Sequence, residues 1–129
     1  MLHPKQFEVT EAWIAFRLNR APIRTESDGD LNCIALMDAA SCFILGSELI
    51  SVGTAEPLEM ECRRLLKTGR SHHQKLPKTL FVPRGEVAEL LTCEAIRQKI
   101  EVVPVAESEL LVFIGEARQG FAERFDVDK

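Results

Sequence analysis

Three apolar segments of strand length occupy the N-terminal part of the chain, namely residues 11–19, 31–37 and 42–52. In the first segment every second residue from Ile14 to Leu18 is apolar, which is the pattern of a β-strand with one well-buried face. The connections are short, because the first contains the hairpin signal Asp28-Gly29 and the second is the loop 38–41. The pattern therefore predicts three antiparallel strands joined as a meander.

The apolar spacing then changes to that of helices. Thr54 is a suitable N-cap for the first helix, Pro57 is tolerated in its first turn, and Gly69 is a typical C-terminal stop. The polar segment 69–77 is predicted to be a loop. Two further helices follow from apolar spacing: Val87, Leu90, Leu91 and Ala95 in the second, and Leu110, Phe113, Ile114, Ala117 and Phe121 in the third, which Ser108 is expected to cap.

Two short apolar strands, residues 78–83 and 100–105, alternate with these helices. Pro104 indicates that the second of them is an edge strand or ends there. The order β-β-β-α-β-α-β-α predicts one α/β domain over residues 1–129, with a core over about 11–125 and a frayed tail at 126–129. Hairpins followed by β-α-β crossovers imply one mixed five-stranded sheet with helices on its faces.

The composition agrees with one soluble domain, since 46 % of the 129 residues are apolar and 28 % are charged. No apolar run approaches the roughly 20 residues of a membrane helix, and the N-terminus lacks a signal-peptide pattern. A cytoplasmic protein without membrane contact is therefore expected. Four cysteines, none of them in a CxxC pair, lie among apolar neighbours and are expected to be buried, reduced and structural: Cys33, Cys42, Cys62 and Cys93.

Three segments resemble parts of the ribonuclease H-like fold of ribonucleases H, integrases and transposase cores. ALMDAASCFILGSEL, residues 35–49, is similar to the hairpin between their second and third strands. LFVPRGEVAELL, residues 80–91, is similar to their fourth strand and the start of a helix, and AIRQKIEVVPV, residues 95–105, to the following helix end and fifth strand. The resemblance spans about residues 13–125 and extends to small bacterial domains that are reduced relatives of this fold.

The resemblance implies where a metal site would be, because active members hold divalent cations with carboxylates. These carboxylates lie inside the first strand, at the end of the fourth strand and on a late helix. Here Ala15 or Phe16 and Pro83 or Arg84 occupy the strand positions, and only the late helix offers acids: Glu107, Glu109 and Glu116. A degenerate, non-catalytic member is therefore predicted, with no catalytic residue, metal ligand or cofactor.

Asp38 and two histidines have competing interpretations. Asp38 is either a metal ligand or the corner of a hairpin, where an aspartate accepts hydrogen bonds from nearby backbone N–H groups. The hairpin interpretation is favoured. His72 and His73 lack further ligands at zinc-site spacing and are expected to be solvated loop residues. GxSxG, GxGxxG and Walker motifs are absent.

The net charge of −4 conceals a basic segment, residues 63–78, which contains six Lys or Arg residues and no acid. Four of its cations, together with Arg84, form the predicted nucleic-acid or anion-binding set: Arg63, Arg64, Lys67, Arg70 and Arg84. Such clusters contact phosphates in nucleic-acid-binding proteins, although a solvated helix face has the same pattern. Aromatic residues for base stacking are absent between Phe43 and Phe81.

Three functions remain open at this point. The first is a binding domain for a nucleic acid or a protein. The second is an enzyme that holds an anionic small molecule with the basic loop, Arg84 and the helix N-terminus at Gly85. The third is a divergent metal-dependent nuclease. Trp13 belongs either to the core or to an exposed partner site, and a free edge at the first or fifth predicted strand would allow a homo-oligomer.

Overall fold

The computed structural model describes residues 2–19, 23–24, 26, 29–51, 59–84 and 89–125. The described elements are a short 3-10 helix at Pro4–Gln6 and, in chain order, β1 Ala12–Arg17, β2 Ile23–Arg24, β3 Asp30–Asp38, β4 Ile44–Ser51, α1 Glu59–His73, β5 Thr79–Pro83, α2 Glu89–Arg97, β6 Glu101–Val105 and α3 Glu107–Phe125. The predicted order of helices and strands is confirmed. The two-residue strand β2 is an addition, since it is too short to produce an apolar period.

One mixed sheet contains all these strands, and its long strands lie in the order β4-β3-β1-β5-β6. β3 runs antiparallel to both β1 and β4, whereas β1, β5 and β6 run parallel, as crossovers through α1 and α2 require. Leu31 pairs with both Ile23 and Ser51, so β2 extends the edge of β3 on which β1 lies. β1 is therefore central, and the predicted mixed sheet is confirmed.

The side chains of β1 alternate between two cores. Trp13 and Ala15 pack with α1 and α2 on one face, while Ile14 and Phe16 pack with α3 on the other. Trp13 is 1 % exposed, so the core interpretation of this residue is confirmed. The sheet is covered by helices on both faces, and most of β1 is consequently buried on both sides.

Gly69 does not end α1, which corrects the prediction. The helix continues to His73, and a Cβ at Gly69 would lie 2.7 Å from Leu36 Cδ2 and 2.9 Å from Trp13 Cη2. The glycine is thus needed for the close approach of α1 to the sheet. His72 and His73 accordingly lie in the last helical turn rather than in a loop.

Other local predictions have mixed outcomes. Ser108 is the second residue of α3 rather than its cap. β6 is an edge strand, as Pro104 indicated, whereas the first strand is central and offers no free edge. Several predictions fall outside the described residues: Asp28, Thr54, Pro57, Gly85, Val87 and the tail 126–129. In the described part of the chain, no helix is both long and apolar enough to cross a membrane.

The cysteines differ in exposure. Cys33 and Cys62 are buried, Cys42 is half-buried and Cys93 is exposed, and none forms a disulfide. The prediction of burial is therefore wrong for Cys93, which lies on the outer side of α2. Burial raises the pKa of the Cys33 thiol, opposed by its hydrogen bond with Ser47. Burial and the nearby carboxylates of Asp38 and Glu116 raise the pKa of Cys42.

Candidate anion-binding groove

A groove of about 560 Å³ lies between α1 and the C-terminal end of α2. Five of its seven lining residues are cations, and we therefore call it the basic groove. The cations are Arg63, Lys67, Arg70, Arg97 and Lys99, and the other two lining residues are Leu76 and Gln98. The three cations from α1 recur at i, i+4 and i+7, a spacing that places them on one face of a helix. The cations from the end of α2 complete the groove.

Lys99 occupies an unusual backbone position. Its φ is +66°, in the left-handed region that favours glycine. The Lys99 N–H donates to Ile96 O at 2.9 Å and the Ile100 N–H donates to Ala95 O at 2.9 Å, which is the Schellman ending of a helix. A glycine is the usual residue there, so a lysine at this position, which lines the groove, carries a cost in backbone strain.

Two acids neutralise part of the basic groove. Glu94 is 5 % exposed and accepts from Arg63 Nε at 3.2 Å and from Gln98 Nε2 at 2.9 Å, and it lies 3.4 Å from Arg97 Nη1. Glu59 pairs with the same two arginines. The hydrogen bond from Gln98 is the largest cause that lowers the pKa of Glu94; Arg63 and Arg97 also lower it, against desolvation.

The other three groove cations carry its net charge. Lys67, Arg70 and Lys99 form no ion pair with any acid among the described residues. The five cations and the two acids therefore leave a net charge of +3 around the groove. A concave surface lined by one sign of charge concentrates its field and attracts anions.

The structure brings together only part of the predicted binding set. Arg63, Lys67 and Arg70 line the basic groove, but Arg64 points to the other side and pairs with Glu48 of β4 at 3.0 Å. The Arg84 N–H donates to Val105 O at 2.8 Å, at the carboxyl end of β6. Lys99 precedes the opposite end of this five-residue strand, so about 16 Å of strand separate Arg84 from the groove.

Two further cations of the basic segment belong elsewhere, and two groove cations were missed. Lys75 and Lys78 line a separate groove of about 380 Å³ with Glu8 and Glu11. Arg97 and Lys99 lie outside the basic segment, and the packing of α2 against α1 brings them beside its cations. The one signal for them in the sequence was their position shortly after Ala95, the last residue in the apolar spacing of the predicted second helix.

Apolar and cationic side chains occupy the part of the sheet where the resemblance places metal ligands. Phe16 is buried on β1, and the guanidinium of Arg118 lies 5.9 Å from the centre of its ring. Arg118 Nε donates to Arg17 O at 3.0 Å, and its guanidinium pairs with Glu107, one of the late-helix acids. Among the described residues, no three His, Cys, Asp or Glu side chains are grouped closely enough to hold a metal ion.

Asp38 forms the hairpin corner, as favoured from the sequence. Its Oδ2 accepts from the Ser41 N–H at 3.0 Å and from Ser41 Oγ at 2.8 Å. Its Oδ1 accepts from the buried N–H of Thr10 at 2.7 Å, a contact that local sequence does not indicate. The carboxylate is 2 % exposed and fully engaged in this structural role.

His72 also contacts the sheet, although it was expected to be solvated in a loop. Its Nε2 lies 2.8 Å from Leu45 O, and its ring meets Phe43 edge-on at 5.5 Å between centroids. These contacts tie the last turn of α1 to β4. His72 therefore lies away from the basic groove and has a structural partner.

No protein-family model and no curated protein matches this chain. Among solved structures, a chain of the simian T-cell lymphotropic virus intasome in complex with PP2A regulatory subunit B56 gamma is similar, with a TM-score of 0.52 and 10 % identity. That match covers 99 % of this chain and 46 % of the other. Marinitoga piezophila Argonaute in complex with 5′ OH guide RNA matches with a TM-score of 0.46 and 15 % identity, over 78 % of this chain and 17 % of the other.

These similarities concern the fold alone, because the identities are low. The chain spans less than half the length of the solved chains it matches. The mixed sheet, the central first strand and the three helices agree with the resemblance drawn from the hairpin at residues 35–49. The chain has a mixed α/β fold of the ribonuclease H-like type.

Proposed function

We propose that this domain is a non-catalytic, ribonuclease H-like nucleic-acid-binding domain whose basic groove holds the phosphate backbone of a duplex. The observation that carries the proposal is the groove itself, in which Lys67, Arg70 and Lys99 have no acidic partner among the described residues. Lysine and arginine contacts to phosphates supply most of the affinity of sequence-independent nucleic-acid binding.

The lining of the basic groove favours contacts to phosphates over contacts to bases. None of its described lining residues is aromatic, whereas proteins that bind single strands stack bases on aromatic rings. Leu76 and Gln98 are the only uncharged lining residues described. The groove thus suits a duplex backbone, which presents charge without exposed base faces.

The non-catalytic part of the proposal rests on the strand residues. Ala15, Phe16 and Pro83 are buried and offer no oxygen ligand from their side chains, and Arg84 places a cation beside them. Glu107 is paired with Arg118. A nuclease assay with Mg²⁺ and Mn²⁺ tests this part, and metal-dependent cleavage that is lost in a Glu107→Gln/Glu109→Gln variant would contradict it.

The alternative of a small-molecule enzyme that combines the basic loop with Arg84 has less support. The basic loop lies at the start of β6, where the Glu101 N–H donates to Lys78 O, and Arg84 lies at the opposite end of that strand. Two measurements distinguish a groove that binds a small anion from one that binds a duplex. A small-anion ligand would compete with DNA at a single saturating site, and the DNA affinity would not depend on duplex length.

Fluorescence anisotropy with a labelled DNA duplex tests the binding function. The test variant is Lys67→Glu/Arg70→Glu/Lys99→Glu. The control, Lys5→Glu/Arg24→Glu/Arg124→Glu, changes the net charge equally at exposed positions away from the groove. We expect binding to be lost in the test variant and largely kept in the control.

Salt titration adds a second measure. Three phosphate contacts correspond to a slope of log K against log salt of about −2.7, and the test variant should flatten it. Equal affinity of the two triple variants, or no binding by the wild type at low ionic strength, would overturn the proposed binding function.

A further inference from the structure

Glu94 is a buried acid beside the basic groove, where it contacts two of the lining arginines without lining the groove itself. It projects from α2, is 5 % exposed, and contacts one arginine from each of the two helices that form the groove. Gln98 donates to its second oxygen at 2.9 Å, so both carboxylate oxygens are engaged. Because an acid beside an anion-binding site repels the ligand, its presence there needs a reason.

The contacts of Glu94 supply one. Arg63 and Arg97 are long side chains that lose much rotamer freedom when a ligand fixes them. A shared carboxylate contacts both guanidinium groups in the absence of any ligand, at 3.2 Å from Arg63 Nε and 3.4 Å from Arg97 Nη1. Glu59 touches the same arginines but is half exposed, at 51 %, and a solvated carboxylate restrains its partners weakly.

We propose that Glu94 is the positioning residue of the basic groove and orders Arg63 and Arg97 in advance for two phosphates of the bound backbone. This inference rests on the proposed nucleic-acid-binding function. The positioning role and simple electrostatics predict opposite changes in DNA affinity when Glu94 is replaced. Charge alone predicts that removal of Glu94 strengthens DNA binding, whereas a positioning role predicts that its removal weakens binding.

The experiment compares matched substitutions at the two acids. Glu94→Asp keeps the charge but shortens the side chain, and Glu94→Gln keeps the length but removes the charge. Both are expected to weaken duplex binding roughly fivefold or more, because two arginines must then be ordered by the ligand. Glu59→Asp and Glu59→Gln are the controls, and they should bind as tightly as wild type or more tightly.

The outcomes separate the two proposals. If the groove triple variant loses binding but Glu94→Gln binds more tightly, as Glu59→Gln does, the positioning role is wrong and the binding function stands. If the groove triple variant binds like its charge-matched control, the binding function is wrong. Thermal unfolding of each variant checks that its fold is intact. If Glu94→Gln does not fold, the affinity of Glu94→Asp tests the positioning role instead.

A readout without ligand tests the positioning role directly. The Arg63 Nε–H donates to Glu94, so its NMR signal should be protected from solvent exchange in wild type and in Glu59→Gln. Protection should be lost in Glu94→Asp and Glu94→Gln. Equal protection in wild type and both Glu94 variants would overturn the positioning role, whatever the DNA-binding result.

Discussion

Asp38 accepts a hydrogen bond from the backbone N–H of Thr10 at 2.7 Å, across 28 positions of the chain. Thr10 has a φ of +70° and lies two residues before Ala12, the first residue of the central strand, so this bond joins the hairpin corner to the entry into β1. The same carboxylate closes its own turn through Ser41. One side chain therefore fixes both the hairpin and the entry to the middle of the sheet.

Replacement of Asp38 by alanine should destabilise the fold strongly. The buried N–H of Thr10 and the N–H of Ser41 would lose their acceptor, at a cost of about 2–3 kcal/mol in the free energy of unfolding. Urea denaturation measures this change. Ser41→Ala, which removes only the hydroxyl contact, should cost less than about 1 kcal/mol, and equal losses in the two variants would contradict the assigned role of Thr10.

Two helical glycines should respond oppositely to alanine. Gly69→Ala places a Cβ against Leu36 and Trp13 and should destabilise by about 1–3 kcal/mol, despite the better helix propensity of alanine. Gly115→Ala meets no atom within 4 Å and should stabilise by about 0.5–1 kcal/mol. Chemical denaturation followed by the fluorescence of the single tryptophan checks both. Stabilisation by Gly69→Ala would contradict the close packing of α1.

Lys99→Gly should stabilise the fold and weaken DNA binding at the same time. Glycine relieves the positive φ, so the free energy of unfolding should rise by roughly 1 kcal/mol. The same change removes a groove cation, and the slope of log K against log salt should become shallower by about 0.9. Lys67→Ala, the matched loss of a cation within α1, should weaken binding without stabilisation. Unchanged DNA affinity in Lys99→Gly would remove this residue from the site.

Acidification should weaken the junction of α1 with α2. The pKa of Glu94 in the folded protein lies below its ordinary value of 4.5, so the unfolded chain binds the proton more tightly. The stabilising contribution is complete above that ordinary value and is lost as the pH falls through the lower, folded value. Unfolding measured between neutral and acidic pH should show this loss, and Glu94→Gln should lack that part of the pH dependence.

Thiol reactivity should follow exposure. Cys93 is exposed and should react first with a disulfide reagent under native conditions, whereas Cys33 and Cys62 should react only on unfolding. Cys42 should react slowly, because its thiol pKa is raised by burial and by nearby carboxylates. Cys93→Ser should abolish the fast phase, and a fast phase that persists in this variant would contradict the assignment.

The sequence was sufficient for the helices and for every strand except β2, because each of them buries an apolar face with a clear period. The alternation around Ile14 and Phe16 and the turn at Asp38 were therefore predicted correctly. Gly69 was misinterpreted because a glycine after a periodic helix usually ends it. Only the contact with Trp13, which lies far away in the chain, explains a glycine inside α1.

The candidate site was predicted only in part, for a related reason. Arg63, Lys67 and Arg70 share a helix face, and local spacing is enough to group them. Arg97 and Lys99 join them through the packing of α2 against α1, which no local pattern contains. Arg84 was included together with the predicted helix N-terminus at Gly85, but β5 carries it to the end of β6 that lies opposite Lys99.

The central position of β1 has a consequence for the order in which the chain folds during synthesis. β3 and β4 are neighbours in sequence and pair locally, whereas Ala12 of β1 pairs with Thr79 of β5. β1 leaves the ribosome before β5, so one of its two edges stays unpaired until β5 has been synthesised. Closing so long a loop is slow, so we expect the β3–β4 hairpin to form early and the parallel half of the sheet to assemble only after β5 has emerged.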